Sequence, residues 1–297
     1  MERLELSEDR RSEYLEKIKK LRLMDDEFFT WCMEGSTECV ELILRIIMDM
    51  EDLKVLSAQT QYTIKNLQGR SVRLDVMATD RSGRQFNIEI QRDERGAVPK
   101  RARYYSSVLD SNLLLAGDEF EKLPETYVIF IIETDIFRKG IPLYNVERHI
   151  VETNEAFGDG AHIMYVNGEC KDETPLGRLM QDFSCTDPEN MNYQALADRT
   201  GYFKRDEKGV NIMCRLLEDM RMEAMEEGRM EGRIEGKREG RMEGRIEGKR
   251  EGRIEGKREG VLDTVRCMVA DGTLPLEKIA AIAGLTYDEV KAIAENK

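Results

Sequence analysis

Histidine is nearly missing from this chain of 297 residues: there are two, His149 and His162. No His-x-His or His-x-x-x-His pair exists. That excludes a zinc metalloprotease, a zinc deaminase and an HUH-type strand transferase, and it argues equally against an HNH nuclease. The six cysteines, Cys32, Cys39, Cys170, Cys185, Cys214 and Cys267, include no Cys-x-x-Cys. Their scatter argues against a zinc site or a disulfide frame and for reduced thiols in a cytoplasm. No run of about 18 apolar residues occurs, so no membrane span is expected. The acidic, polar start Met1-Glu2-Arg3-Leu4-Glu5 does not read as a secretory signal. Neither a Gly-x-Gly-x-x-Gly nor a Walker A loop is present, so no organic cofactor is expected. Carboxylates are left as the candidates for catalysis.

Acids are abundant. The formal net charge is −13, with 35% charged and 40% hydrophobic residues. The apolar share is enough for a packed core, and the length suits one large domain with an appendage or two small domains. Affinity for DNA comes mainly from lysine and arginine neutralising phosphates. A nucleic-acid function would therefore require the charge to be unevenly distributed. Arg92, Arg95, Lys100, Arg101 and Arg103 form the best local basic cluster. A solvated loop and helix surface would read the same way.

Residues 71 to 91 read as a β-hairpin. Val72, Leu74, Val76 and Ala78 alternate with Arg73, Asp75 and Met77, and Phe86, Ile88 and Ile90 alternate with Asn87, Glu89 and Gln91. Period-two alternation marks half-buried strands. Asp80-Arg81-Ser82-Gly83 supplies turn residues. A turn centred on Ser82 sets Asp75 opposite Glu89, both on the polar face, with Gln91 on the same face. Opposed side chains have Cβ atoms about 5 Å apart, and like charges there repel. A divalent cation between them would turn repulsion into attraction, and Mg²⁺ takes one or two carboxylates, waters and a substrate phosphate. An ordinary amphipathic hairpin with a solvated polar face would show the same spacing.

The order of elements adds to this. An apolar helical run, Glu38 to Met50, and a strand, Lys54 to Ile64, precede the hairpin. A helical run, Pro99 to Leu115, and an apolar strand, Thr126 to Glu133, follow it. Helix, three strands, helix, strand, with Asp on the second strand and Glu-x-Gln on the third, resembles the core of the PD-(D/E)XK nucleases. More narrowly, Leu74-Asp75-Val76, Ile88-Glu89-Ile90-Gln91, Arg101-Ala102-Arg103-Tyr104-Tyr105 and the later Glu-Gly tetrads resemble the PD-(D/E)XK nuclease family transposases, the Rpn-type recombination-promoting nucleases, over roughly residues 20 to 260.

The resemblance implies an α/β, restriction-endonuclease-like core, an α-β-β-β-α-β mixed sheet, with a helical C-terminal extension. It implies a metal-dependent endonuclease acting on double-stranded DNA in recombination or transposition, with Mg²⁺, or Mn²⁺, as cofactor. Asp75, Glu89 and Gln91 would be catalytic. Asp75 and Glu89 would hold the metal, with Glu38 on the first helix completing the shell. Glu38 also reads as a first-turn acid favoured by the helix dipole, and Glu41 is a further alternative. Arg101, Arg103 and Tyr104 would reach phosphates. Gln91 stands where most relatives carry lysine and brings no positive charge. RNA cleavage on the same site reads identically. Asp25 and Asp26 read as caps or surface acids.

Four segments are expected: an N-terminal helical segment (1–24), the nuclease-like domain (25–226), a tetrad repeat (227–260) and a small helical tail (261–297). Within the nuclease-like domain, residues 65–70 read as a loop. The repeat runs Glu-Gly-(Arg/Lys)-x in eight tetrads, with eight glutamates against eleven basic residues, a local +3 that leaves −16 elsewhere. Each glycine costs a helix about 1 kcal/mol relative to alanine. A period of four also drifts about 40° per repeat around a 3.6-residue helix. Two readings stay open: a flexible linker, or a long helix whose glycine stripe packs against a second chain, making the protein a homo-oligomer. The alternative function is a weak or inactive nuclease fold that serves as a self-assembling interaction module. The tail has a helix, Gly284-Leu285-Thr286, helix outline; its balance of three lysines against four acids suits protein contact better than base reading.

Overall fold

The run Thr126–Ile132 is buried at every residue, as befits a strand flanked by parallel neighbours and covered on both faces. It is the fourth strand of a six-stranded mixed sheet in a computed structural model that describes residues 7–65 and 69–295. The elements run α1 (Glu8–Lys20), α2 (Asp26–Met33), α3 (Thr37–Met48), β1 (Val55–Ile64), β2 (Val72–Asp80), β3 (Gln85–Gln91), α4 (Pro99–Leu113), β4 (Thr126–Ile132), β5 (Leu143–Val146), β6 (His149–Ile150), β7 (Glu155–Ala156), β8 (Ala161–Asn167), α5 (Pro175–Ser184), α6 (Gln194–Arg205), α7 (Glu207–Asp271), α8 (Leu276–Ala283) and α9 (Tyr287–Glu295). Of the loop expected over 65–70, residues 66–68 lie outside the described residues, as do 1–6 of the N-terminal segment and 296–297 of the tail.

The sheet order is β1-β2-β3-β4-β8-β5. β1, β2 and β3 are antiparallel, β3, β4 and β8 are parallel, and β5 closes the far edge antiparallel to β8. This is the mixed α/β sheet of the restriction-endonuclease-like fold, with a long C-terminal helix. The parallel step from β3 to β4 needs a crossover, and α4 supplies it. Pro99 opens α4, where its missing N–H costs nothing.

Two cores sandwich the sheet. On one face Phe86, Ile88 and Ile90 of β3 pack with Phe28 and Phe29 of α2, Val40 and Ile43 of α3, and Leu179 and Phe183 of α5. On the other, Val128 and Phe130 of β4 pack beneath Ala102, Tyr105 and Leu109 of α4. The even residues of β2 do not share one face as alternation predicts. Val76 and Ala78 join the first core, whereas Val72 and Leu74 join the second. The pleat inverts at Asp75.

The chain divides into two compact units, residues 1–218 and 219–297. In the first, α1 belongs to the main core through Tyr14 and Ile18. In the second, residues 227–260 are helical throughout, within α7. The last turns of α7 pack with α8 and α9 around Val265, Ile279, Ala280 and Val290. Gly284 ends α8 in the left-handed region at φ 68°. Thr286 and Glu289 then cap α9 reciprocally, at 3.3 Å from the Glu289 N–H to the threonine hydroxyl and 2.8 Å from the Thr286 N–H to the carboxylate. Among the described residues no helix is long and apolar enough to cross a membrane.

Candidate active site

The β2–β3 ladder pairs Thr79 with Gln85, Ala78 with Phe86, Met77 with Asn87 and Val76 with Ile88, the register expected from a turn centred on Ser82. There the regular pairing stops. At the next level the Asp75 N–H donates to Glu89 Oε1 at 3.3 Å, and the Ile90 N–H donates to Asp75 Oδ2 at 2.9 Å. Two carboxylates thus take the place of backbone carbonyls, and each acid is fixed by the opposite strand.

The surroundings of the pair are dry. Glu89 is fully buried on the α4 face, not on a solvated polar face, and Asp75 is half-buried. Burial, and then the nearby Asp75 charge, hold the Glu89 carboxyl well above the usual range. Burial, and then the charge of Asp26, push Asp75 up to about 7. Water stabilises a carboxylate better than this site does, so the charged form is disfavoured.

Asp26 was expected as a cap or surface acid. The structure corrects this: Asp26 is half-buried in the first turn of α2, where its charge acts on Asp75. Burial, and then the charge of Glu27, raise its pKa. α2 reaches the site because it packs on both β2 and β3, while α3 makes its main sheet contact with β1. Glu38 accordingly stands exposed in the first turn of α3, and Glu41 pairs with Arg45 and Lys54 at 2.6 and 2.8 Å. Neither is brought to Asp75 and Glu89. Sequence periodicity missed α2 because an eight-residue helix carries too few turns to show it.

Arg101, from the first turn of α4, reaches the other side of the pair. Its Nη2 lies 3.3 Å from Glu89 Oε2, and its Nη1 donates to the Gly96 carbonyl at 2.8 Å and lies 3.5 Å from Gln91 Oε1. The guanidinium sits 4.9 Å from the Tyr105 ring centroid. A Cβ at Gly96 would overlap the Gln91 amide, so glycine leaves room for that side chain. Sequence reading gave Gly96 no role.

The basic cluster is largely spent on internal pairs. Arg92 joins Asp25 and Glu133 at 3.2 and 3.3 Å, and Glu133 also binds Arg22 at 2.7 Å. Arg95 pairs with Asp93 at 2.6 Å. Lys100 and Arg103 are exposed. The Tyr104 hydroxyl donates to the Arg70 carbonyl. His149 and His162 lie on β6 and β8, where His162 stacks on Tyr127 at 4.6 Å.

Residues 39–172 match the family described as PD-(D/E)XK nuclease family transposase. Over these residues the chain is similar to that family. Neither a curated protein nor a solved structure matches the chain. The PD-(D/E)XK segment contains Asp75, Glu89, Gln91, Gly96 and Arg101, and it supports a nuclease-like function. Asp26 is delivered from outside it. Such nucleases use divalent metals. The donors here are carboxylate oxygens in a dry site that disfavours their charge, and a hard cation would offset that cost. Among the described residues, no three His, Cys, Asp or Glu side chains already stand in metal-holding geometry.

Proposed function

We propose that this protein is a Mg²⁺-dependent endodeoxyribonuclease, able to use Mn²⁺, that hydrolyses phosphodiester bonds of double-stranded DNA in recombination or transposition. The observation that carries the reading is the reciprocal bridge of Asp75 and Glu89, joined by Asp26, inside a PD-(D/E)XK nuclease segment. Asp75 and Glu89 would hold the cation, with Asp26 in the place first expected for Glu38. When bound, the cation polarises the scissile phosphate and lowers the pKa of the attacking water. The Gln91 amide orients that water through hydrogen bonds but cannot take its proton. Arg101 restores the positive charge that a lysine at position 91 would have carried. Exposed Arg103, with Tyr104 beside it on α4, extends the contact along the phosphate backbone. Reduced thiols fit a cytoplasmic setting.

The test is nicking of supercoiled plasmid with Mg²⁺. Asp75→Ala is expected to lose at least about 100-fold in rate, equivalent to ~3 kcal/mol of transition-state stabilisation. Equal nicking by wild type and variant rejects the assignment.

A second role rests on the tetrad helix. Added Cβ atoms at its glycines, from Gly228 to Gly260, would meet nothing within 4 Å, and Met230, Ile234, Met242, Ile246 and Ile254 are exposed. Glutamate precedes and arginine or lysine follows each glycine from Gly228 to Gly256. One flank of the stripe is therefore acidic and the other basic. Two parallel copies would set opposite charges against each other, and antiparallel copies would set like charges together. We assign the helix to homo-oligomer formation in the parallel sense.

A further inference from the structure

Both oxygens of Glu89 are engaged. Oε1 accepts the Asp75 N–H at 3.3 Å, and Oε2 faces the Arg101 guanidinium at 3.3 Å. Asp75 Oδ2 is likewise taken by the Ile90 N–H. The backbone bonds belong to the sheet and cannot leave without opening it. The Arg101 contact can. It stands on a side chain that is 32% exposed, facing a carboxylate that is 0% exposed. A cation that needs an oxygen of Glu89 therefore meets one movable obstacle, and that obstacle is itself a cation.

The obstacle is also well placed to move. Arg101 stands in the first turn of α4, an element anchored independently by Ala102, Tyr105 and Leu109 in the second core. Rotation about its side-chain bonds can carry the guanidinium from Glu89 towards solvent without disturbing that packing. The planar fork that now spans Glu89, Gln91 and the Gly96 carbonyl matches the geometry of a phosphate. Leaving Glu89 without a replacement would strand a buried charge, which is costly. Release and replacement are therefore linked.

We infer that Arg101 is a counter-ion gate: it holds Glu89 until a divalent cation takes its place, and the released guanidinium then grips the DNA phosphate. This rests on the nuclease reading and adds an order of events to it. Cation and DNA bind with positive coupling, because each gives one partner of the Arg101–Glu89 pair a substitute. Arg101 is thus a positioning residue for the cation as well as a ligand for the phosphate.

The experiment is calorimetric titration of the full chain with Mn²⁺, with and without a 20-base-pair DNA duplex. For wild type, the duplex is expected to tighten Mn²⁺ binding about fivefold or more, within the usual range of coupling between sites. Arg101→Met, which keeps the apolar stem, is expected to bind Mn²⁺ about tenfold tighter than wild type without DNA. It should lose the coupling, and the salt dependence of duplex binding should fall by about one phosphate contact. Arg101→Lys is expected to fall between the two, since an ammonium cannot span all three partners. Equal or weaker Mn²⁺ binding by Arg101→Met, with DNA coupling intact, overturns the gate while leaving the nuclease reading standing. No Mn²⁺ binding by any of the three proteins removes the nuclease reading and the gate with it. The coupling in wild type is measured without any substitution, so a variant that fails to fold does not protect the idea.

Discussion

Gln61 lies across from Asp75 on the neighbouring strand, between the pairs Thr60–Val76 and Tyr62–Leu74, and its backbone is left-handed at φ 53°. A non-glycine residue there is uncommon and costs about 1–2 kcal/mol. It accompanies a change of face on both strands. Ala58 packs towards the first core and Ile64 sits in the second, just as Val76 and Leu74 divide on β2. Asp75 sits at the inversion. It can therefore meet Asp26 arriving from one face of the sheet and feel the charge of Arg101 arriving from the other.

Gly96→Ala separates the placement of Gln91 from its chemistry. Gly96 has no left-handed backbone, so alanine is tolerated there, but its Cβ would overlap the Gln91 amide. Misplacing an orienting group by about 1 Å can cost ~100-fold. The variant is expected to melt within ~1 kcal/mol of wild type while nicking plasmid about 10- to 100-fold more slowly. Unchanged nicking would show that the position of Gln91 does not matter.

The raised carboxyls predict a pH dependence of stability. Folded Asp75 keeps its proton up to about 7, whereas an unfolded aspartate loses it near 4. Between those values the folded state binds more protons, so stability falls as pH rises through that window. Glu89 acts in the same direction. Carboxylates held low by partners, such as Asp93, have the opposite sign, but at pH values below 4. Metal-free Asp75→Asn should therefore melt about 2–8 °C above wild type at pH 8 and close to it near pH 4. Parallel melting curves across the range would contradict the shift.

Deleting residues 227–258 should lower the mass measured by light scattering from that of an assembly towards that of a single chain. The deletion leaves the sheet and its acids untouched, so plasmid nicking per chain should persist. An unchanged mass would place self-association elsewhere.

Much of this architecture is legible in the sequence because it is written locally. A four-residue turn fixes the register that sets Asp75 level with Glu89, and alternation marks β3 as a strand. What alternation cannot show is a break in its own rule. Gln61 has no turn chemistry to betray a left-handed backbone, so the inversion at Asp75 is silent. Asp26 is silent for a different reason. It is one of three consecutive acids, Asp25, Asp26 and Glu27, before a short apolar run, and only the packing of α2 decides which of them faces Asp75. The four-residue glycine period left linker and helix both open, and α7 is helical there despite glycine's low propensity.

α2 makes one acid of the cluster depend on side-chain packing rather than on strand pairing. A fragment trimmed to residues 39–172 would retain both hairpin carboxylates and the guanidinium, yet forfeit the aspartate that joins them. Family boundaries drawn from sequence likeness therefore cut through the candidate site, and a chain that keeps all of it must begin ahead of Asp26.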